Sequence, residues 1–308
     1  MAYHLGWEDA NGDPSEEAGK AVRPSLCLLA CEATGGDWRK ALPAAAAVEL
    51  VHNFSLVHDD IQDRDVLRHG RPTVWKLWGT AQAINAGDAL LVLARGALLR
   101  LVGEGIAERI VLRAAQILDE RTLEMVEGQV LDIEFERSVS VDSAAYLSMV
   151  EKKTGALFGC ALEVGALIGG EREDVVDELG RCGRLLGSAF QIRDDMLGVW
   201  GTENHTGKQP GADIRRRKKS LPVVYALAIS EGKAGDELRR VYAKDELSHE
   251  DVSFVLRCLD DVGAQAYCAR TAEERAHAAL VKLDHAGLDG EAVAELRQTA
   301  VFLLKRDF

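Results

Sequence analysis

Proline is scarce in this sequence, with only 6 among 308 residues. A long stretch between Pro72 and Pro210 contains none, and none follows Pro222. An interior proline costs a helix about 3 kcal/mol, so such stretches favour long helices. Alternating apolar and polar residues bounded by turn residues, which would indicate strands, are scarce as well. We therefore predict an all-α protein.

Positive charge, paired cysteines and long apolar runs are also lacking. The net charge of −13 argues against a nucleic-acid binder or a protein held to anionic lipid by bulk charge. The 6 cysteines form no CxxC pair, and no histidine cluster at metal spacing accompanies them, which favours free thiols in a reducing compartment. The most apolar stretch, 89–102, contains Arg95 and Arg100 and is too short to span a membrane. The N terminus lacks a basic start followed by an apolar run. We therefore expect a cytoplasmic protein without a transmembrane segment.

Apolar residues recur at helical spacing along most of the chain. The stretch 42–60 predicts a helix, and Gly70 and Pro72 predict a break after it. The glycine-rich polar stretch 201–213 predicts a loop, and no linker or internal repeat divides the chain. A single domain over residues 1–308 is therefore predicted. Further helical patterns cover 80–102, 105–136, 142–168, 172–199 and the chain from 221 onward.

The first predicted helix ends in an acidic motif, HDDIQD, over residues 58–63. Asp59 and Asp63 are four residues apart and project from one helix face, with Asp60 beside them. Three carboxylates so close repel one another unless a cation lies between them, and Mg²⁺ prefers such oxygen ligands together with phosphate and water. The alternative for this motif taken alone is a solvated acidic helix end.

A second acidic pair follows in the sequence FQIRDD, residues 190–195, again within a helical pattern. Gln191 and Asp194 share a helix face, and Asp195 is adjacent. Two aspartate-bearing helices in one chain favour a metal-bridged polyanion over a solvated surface.

Basic residues that could hold the phosphate itself lie at predicted helix ends and loops. Each alone is typical of a solvated surface charge, but their occurrence with two aspartate motifs favours a phosphate-bearing substrate. These residues are Lys20, Arg23, Arg68, Lys153, Lys208 and Lys218.

Seven motifs, in the order in which they follow one another along the chain, resemble those of one known family. They are GKxxRP before DDIQD, RHGRPTVW after it, then GQVLD, KTG, FQIRDD and GKxxGxDIxxxKxSLP, from Gly19 to Pro222. Together they are similar to the trans-isoprenyl diphosphate synthases, or polyprenyl synthetase family, in particular the short-chain geranylgeranyl and farnesyl diphosphate synthases. The resemblance implies a large helical bundle of the isoprenoid synthase type around a central apolar cavity. It also implies a Mg²⁺-dependent prenyltransferase that condenses isopentenyl diphosphate with an allylic diphosphate.

The resemblance assigns roles to individual residues. Up to three Mg²⁺ ions would lie between the two motifs, bound by Asp59, Asp63 and Asp194. Asp60 and Asp195 would act through water or on the adjoining cations. The residues matching the allylic diphosphate site are Arg68, Lys153 and Lys208, with Thr154, Gln191 and Lys218 in support. Those matching the isopentenyl diphosphate site are Lys20, Arg23 and His52, and the polar pair Gln129 and Asp132 matches a helix facing the metals.

The sequence departs from the family pattern at three places. Gly198 stands where the second motif has a third aspartate, which predicts weakened support of the metals rather than lost activity. His69 stands where a second arginine contacts isopentenyl diphosphate, which predicts weaker or pH-dependent binding. The segment before Gly19 is short for the family, so we expect that a helix is missing there or that the true start lies upstream.

The resemblance also bears on product length and assembly. Phe54 and Ser55 precede Asp59 by five and four residues, an aromatic and small pair that favours a C20 product, geranylgeranyl diphosphate. Ordinary core packing is the alternative for Phe54. The family is usually homodimeric, and the apolar helices at 80–135 are candidates for that interface.

Two other functions remain open. One is a class I terpene cyclase on the same scaffold, against which Lys20, Arg23 and His52 argue because a cyclase needs no isopentenyl diphosphate site. His69 argues weakly in its favour. The other is a non-catalytic subunit that regulates an active synthase, although such a subunit would be expected to lose its aspartates.

Overall fold

The computed structural model describes most of the chain. The described residues are 1–15, 19, 21–138, 141–170, 172–201, 211–244 and 246–304. Two predicted site residues, Lys20 and Lys208, lie outside them.

Nearly all of the described secondary structure is helical, as the scarcity of proline predicted. The α-helices are α1 (Val22–Ala33), α2 (Leu42–Gln62), α3 (Val74–Trp78), α4 (Thr80–Leu99), α5 (Glu108–Arg137), α6 (Ser143–Val150), α7 (Ala156–Gly170), α8 (Glu173–Trp200), α9 (Ala212–Arg215), α10 (Leu221–Ile229), α11 (Gly232–Tyr242), α12 (His249–Asp261), α13 (Ala264–His285) and α14 (Glu291–Leu304). Short 3₁₀ turns cover Trp38–Ala41 and Arg100–Val102, a π-helical turn covers Glu151–Gly155, and two short strands are β1 (Leu67–Arg68) and β2 (Arg71–Pro72).

Helix α2, which carries the first acidic motif, begins and ends where its sequence dictates. Pro43 lies in its first turn, where a missing N–H costs nothing. Buried residues such as Ala44, Val48 and Val51 recur every three to four positions and face the core. The helix ends at Gln62, and Arg64 then adopts a left-handed conformation with φ of 56°.

The predicted break after α2 is a small hairpin, which the sequence did not reveal as strands. β1 and β2 pair in antiparallel fashion, with Arg68 opposite Arg71. His69 and Gly70 form the turn with φ of 51° and 79°. Positive φ at both central residues is the geometry that suits a two-residue hairpin, and glycine adopts it without strain. Strands of two residues are too short to show alternation, so only the break was predictable.

The described residues divide into two compact units. The first comprises Met1–Thr122, Cys160–Gly180 and Ala286–Leu296, and the second comprises Leu123–Gly159, Arg181–His285 and Arg297–Phe308. The prediction of one domain over 1–308 stays a prediction.

Each unit has its own apolar core. In the first unit α2 packs against α1 and α4, and Leu26, Val48 and Leu90 are fully buried. In the second unit one cluster centres on Val199, Val223 and Leu259, and another surrounds the end of α8.

Three expectations about the whole chain can be compared with the structure. All 6 cysteines are free and buried, which confirms the prediction of unpaired thiols. The predicted helical stretches at 80–102, 105–136, 142–168 and 172–199 are confirmed to within a few residues. Among the described residues, no helix combines the length and apolar character that crossing a bilayer requires.

Candidate active site

The first acidic motif exposes two of its carboxylates and buries the third. Asp59 is partly exposed and Asp63 is exposed, whereas Asp60 is only 1 % exposed. Nε and Nη2 of Arg68 each lie 2.8 Å from Oδ1 of Asp60. Burial raises the pKa of the Asp60 carboxyl, and the charge and hydrogen bond of Arg68 oppose that rise. Asp60 therefore holds Arg68 in place.

The hairpin brings Arg68 and His69 beside two residues from the helices. The His52 ring on α2 interacts electrostatically with Arg23 of α1 and with Arg68 and His69. Burial and these positive neighbours lower the pKa of His52 well below its ordinary value. Arg23, His52, Arg68 and His69, which interact electrostatically in this way, are here called the basic cluster, and their roles in binding diphosphates stay predictions.

The second acidic motif lies on α8 and buries its second aspartate completely. Asp195 has no solvent exposure, while Asp194 is partly exposed. Oδ2 of Asp195 accepts hydrogen bonds from the Tyr146 hydroxyl at 2.6 Å and the Leu221 amide at 3.3 Å, and Oδ1 accepts from Nε2 of Gln191 at 3.1 Å. Burial raises the pKa of Asp195, and it also raises the pKa of Tyr146 well above its ordinary value, as does the adjacent carboxylate. Asp195 therefore fixes the positions of the Tyr146 and Gln191 side chains.

Lys218 links that carboxylate to a second one. Its Nζ lies 3.7 Å from Oδ1 of Asp195 and 4.0 Å from Oδ2 of Asp213. The Asp213 carboxylate packs directly against Gly198. A Cβ built on Gly198 would lie only 2.1 Å from Oδ2 of Asp213. The space that a side chain at position 198 would need is thus filled by the Asp213 carboxylate.

A further cation and hydroxyl come from the π-helical turn Glu151–Gly155. The sequence analysis counts Lys153 among the residues at predicted helix ends and loops, and the structure has a π turn there, between α6 and α7. Nζ of Lys153 lies 2.6 Å from Oδ2 of Asp132, and Oγ1 of Thr154 donates to Oε1 of Gln191 at 3.0 Å. Because single π turns are frequent at functional sites, this deviation supports a role for both residues.

The two motifs share one arrangement. In the first, Asp60 points inward onto Arg68, and in the second Asp195 points inward beside Lys218. The preceding aspartate of each pair remains partly exposed. Each motif thus offers an accessible carboxylate and, through its buried partner, a positioned cation.

The accessible carboxylates fit a hard divalent cation. Asp59 and Asp63 offer oxygen ligands one helical turn apart and leave room for water and phosphate oxygens. Within the described ranges, no group of three or more His, Cys, Asp or Glu side chains is already gathered as a metal site. Mg²⁺ keeps several waters and takes further ligands from substrate phosphates, so it needs only a few carboxylates from the protein. The direct ligand roles of Asp59, Asp63 and Asp194 stay predictions.

Comparison with known proteins identifies the family. The sequence profile described as polyprenyl synthetase matches residues 11–259. This chain is 39 % identical to the (2E,6E)-farnesyl diphosphate synthase of Mycobacterium tuberculosis, over 99 % of this chain and 85 % of that protein. The chain belongs to the polyprenyl synthetase family. It is therefore a trans-prenyltransferase of the isoprenyl diphosphate synthase type, which confirms the resemblance drawn from the motifs.

Two further members of the family are similarly related. The geranylgeranyl diphosphate synthase of Mycobacterium tuberculosis is 40 % identical, over 95 % of this chain and 83 % of that protein. A crystal structure of a polyprenyl synthetase from Streptomyces coelicolor A3(2) superposes with a TM-score of 0.91 at 40 % identity, covering 98 % of this chain and 90 % of that one. The all-α fold is thereby confirmed. The related synthases are named for both farnesyl and geranylgeranyl products.

Two residues of the second motif's surroundings were not singled out from the sequence. Asp213 lies within the GKxxGxDI motif, so a signal was present, but its contact with Gly198 depends on how α9 packs. Tyr146 lies in an ordinary amphipathic helix, and only its buried contact with Asp195 reveals its role.

Proposed function

We propose that this chain condenses isopentenyl diphosphate with an allylic diphosphate and releases geranylgeranyl diphosphate as its main product. The arrangement shared by the two motifs carries this proposal, because each pairs an accessible carboxylate with a cation fixed by a buried aspartate. A phosphate-bound Mg²⁺ and a positive side chain are the two kinds of group that a departing diphosphate requires.

The chemistry needs charge stabilisation more than acid or base groups. The allylic carbon–oxygen bond breaks and leaves its electron pair on the diphosphate. The double bond of isopentenyl diphosphate then forms the new carbon–carbon bond, and the proton lost from it passes to the released diphosphate. When bound, Mg²⁺ supplies positive charge to the leaving group.

The side chains of this protein complete that stabilisation. Arg68 and Lys153 are assigned to the allylic diphosphate, with Lys218 in support, and each of the three lies beside a carboxylate. Arg23 and His52, with His69, bind isopentenyl diphosphate, because they are gathered in the basic cluster without forming part of an aspartate motif. Lys20 and Lys208 are assigned to these two sites from the sequence alone.

One assay tests the proposed function. The purified chain is incubated with Mg²⁺, labelled isopentenyl diphosphate and dimethylallyl, geranyl or farnesyl diphosphate, and the products are separated by chain length. We expect labelled C20 product from each primer. A cyclic hydrocarbon without label would contradict elongation and favour the cyclase, and absence of turnover would favour the regulatory subunit. A labelled C15 end product would retain elongation and overturn only the proposed length.

The proposed length rests on the packing of Phe54. Its ring is 8 % exposed and meets the His58 ring edge to face, with centroids 5.0 Å apart. His58 in turn lies against α4, where a Cβ on Gly87 would come within 2.2 Å of Nε2 of His58. The His58 ring, which α4 holds in place, thus supports the Phe54 ring. This suits Phe54 to act as a rigid floor beneath the acidic motif, where it would limit the length of the growing prenyl chain.

Removing that floor should lengthen the product. We expect Phe54→Ala to shift the main product from C20 to longer chains, because the space of a phenyl ring then becomes available to the growing prenyl chain. The matched control is Phe254→Ala, which removes a partly buried ring from the core of the second unit. Products are measured by chromatography. An unaltered product length in Phe54→Ala would place the floor elsewhere and support simple core packing.

We also propose that the chain forms a homodimer through α4 and the start of α5. Ile84, Val92, Leu93 and Leu99 on α4 are exposed, as is Leu112 on α5 with 69 % of its surface accessible. A row of exposed large apolar residues marks an interaction surface. Analytical ultracentrifugation should give about twice the 33.5 kDa of one chain. A monomer at micromolar concentration would overturn the proposal.

A further inference from the structure

The Asp195 carboxylate lies at the centre of a buried hydrogen-bond network in the second unit. Its Oδ2 accepts from the Tyr146 hydroxyl at 2.6 Å and from the Leu221 amide at 3.3 Å. Its Oδ1 accepts from Nε2 of Gln191 at 3.1 Å and lies 3.7 Å from Nζ of Lys218. One oxygen is thus held by two buried donors, and the other faces two side chains assigned to the support of the allylic diphosphate.

The Tyr146 side chain is held firmly by the core of this unit. Its ring on α6 is only 2 % exposed and belongs to the apolar cluster that also contains Met149, Ile192 and Leu221. Because side chains in such cores are closely packed, the ring is restricted and its hydroxyl is a donor at a fixed position. Asp195 is fully buried, and a hydrogen bond to a carboxylate is among the stronger ones in proteins. The Tyr146 hydroxyl therefore fixes the rotation of the Asp195 carboxylate.

The network continues from Gln191 to the π-helical turn. Oγ1 of Thr154 donates to Oε1 of Gln191 at 3.0 Å. The side-chain amide of Gln191 is thereby bonded at its oxygen by Thr154 and at its nitrogen to Asp195, which fixes its orientation. Through one carboxylate, Tyr146 is connected to all three side chains assigned to the support of the allylic diphosphate.

We propose that Tyr146 is a positioning residue for binding of the allylic diphosphate and that it acts through Asp195. The Tyr146 hydroxyl orients the Asp195 carboxylate, and that carboxylate keeps Lys218 in place for the diphosphate. This inference rests on the function proposed above, which assigns Lys218 to the support of that substrate. It also gives a role to a hydroxyl group that lies within an apolar cluster.

Removing only the hydroxyl tests this role. In Tyr146→Phe we expect the KM for geranyl diphosphate to rise about tenfold, because a hydrogen bond to a buried charged group is lost and Lys218 is held less precisely. The KM for isopentenyl diphosphate should stay within about twofold of wild type, since the basic residues assigned to it belong to the first unit. The matched control is Tyr225→Phe, which removes the hydroxyl of a partly buried tyrosine on α10 and should leave both KM values unchanged.

A double-variant cycle shows whether Tyr146 acts through Asp195. The ligand is geranyl thiodiphosphate, an allylic analogue with sulfur in place of the oxygen between carbon and phosphorus, and its affinity in the presence of Mg²⁺ is measured by calorimetric titration. We expect Tyr146→Phe to weaken this binding about tenfold in the wild-type background. In the Asp195→Ala background the same change should weaken it less than twofold, because the hydroxyl then has no carboxylate to orient.

Three results would overturn the inference. They are an unchanged KM for geranyl diphosphate in Tyr146→Phe, a parallel rise of both KM values, and a tenfold weakening that persists in the Asp195→Ala background. The first two need only Tyr146→Phe, whose ring keeps the apolar cluster filled, so they are decisive even where Asp195→Ala fails to fold. If wild type itself forms no elongated product, the proposed function fails instead, so the two failures can be distinguished.

Discussion

Replacing Asp59 with asparagine should reduce elongation by about a thousandfold or more. A bound metal contributes several kcal/mol of charge stabilisation to a departing diphosphate, and each 1.36 kcal/mol is tenfold in rate. Asn keeps the size of the side chain but removes the negative charge that attracts Mg²⁺. Because Asp59 is partly exposed at the end of α2, the fold should be retained. Turnover with farnesyl diphosphate and labelled isopentenyl diphosphate measures the effect.

The control and a second measurement separate metal binding from general damage. Glu104→Gln removes an exposed carboxylate from the loop before α5 and should leave turnover unchanged. The rise in melting temperature that Mg²⁺ and pyrophosphate produce together should be smaller in Asp59→Asn and intact in Glu104→Gln. Wild-type turnover in Asp59→Asn would remove this residue from the metal site.

The sequence predicted the helices well because their causes are local. Absence of interior proline and recurring apolar residues decide where α2, α4 and α8 can form, and these features are visible in any stretch of sequence. The sequence predicted the hairpin at Leu67–Pro72 only as a break. Its two strands are stabilised by pairing with each other, and two-residue strands are too short to show an alternating pattern. The ordered motifs identified the family for the same reason, since each is a short local pattern.

The different roles of neighbouring aspartates were less visible. Spacing places Asp59 and Asp63 on one face, and Asp60 lies about 100° further around the helix. Whether that direction leads to solvent or to an arginine depends on the hairpin, which returns Arg68 to within 2.8 Å of Asp60. Tertiary structure therefore decides which carboxylates remain accessible.

Tyr3 and Asp213 illustrate the same limit. Tyr3 lies in a segment without helical periodicity, and its position depends on contacts with Pro72 and Arg71, more than 60 residues away in sequence. Asp213 lies in α9 and reaches Gly198 only because α9 is placed beside α8 in the second unit. Contacts between residues distant in sequence leave little trace in a single sequence.

The contact between Asp213 and Gly198 changes what restoring the family's third aspartate should do. From the sequence, Gly198 predicted weaker support of the metals, so that an aspartate there would be an improvement. In the structure, the Asp213 carboxylate fills that space, with Oδ2 2.1 Å from where a Cβ would lie and 4.0 Å from Nζ of Lys218. An added side chain would displace Asp213 and bring a second negative charge beside it.

We therefore expect Gly198→Asp to lower the rate of elongation by about a hundredfold rather than to raise it. A loss of this size is typical when one positioned charged group, here the Asp213 carboxylate, is displaced. Gly198→Ala should lower it less, because it displaces Asp213 without adding charge. The double variant Gly198→Asp with Asp213→Gly should recover much of the loss, since α8 then supplies the single carboxylate facing Lys218. The control is Ala234→Asp, which adds a carboxylate at an exposed position of α11 in the same unit. Turnover and the rise in melting temperature with Mg²⁺ and pyrophosphate are measured for all four variants. A Gly198→Asp variant at least as active as wild type would show that elongation does not need the Asp213 carboxylate in its present position.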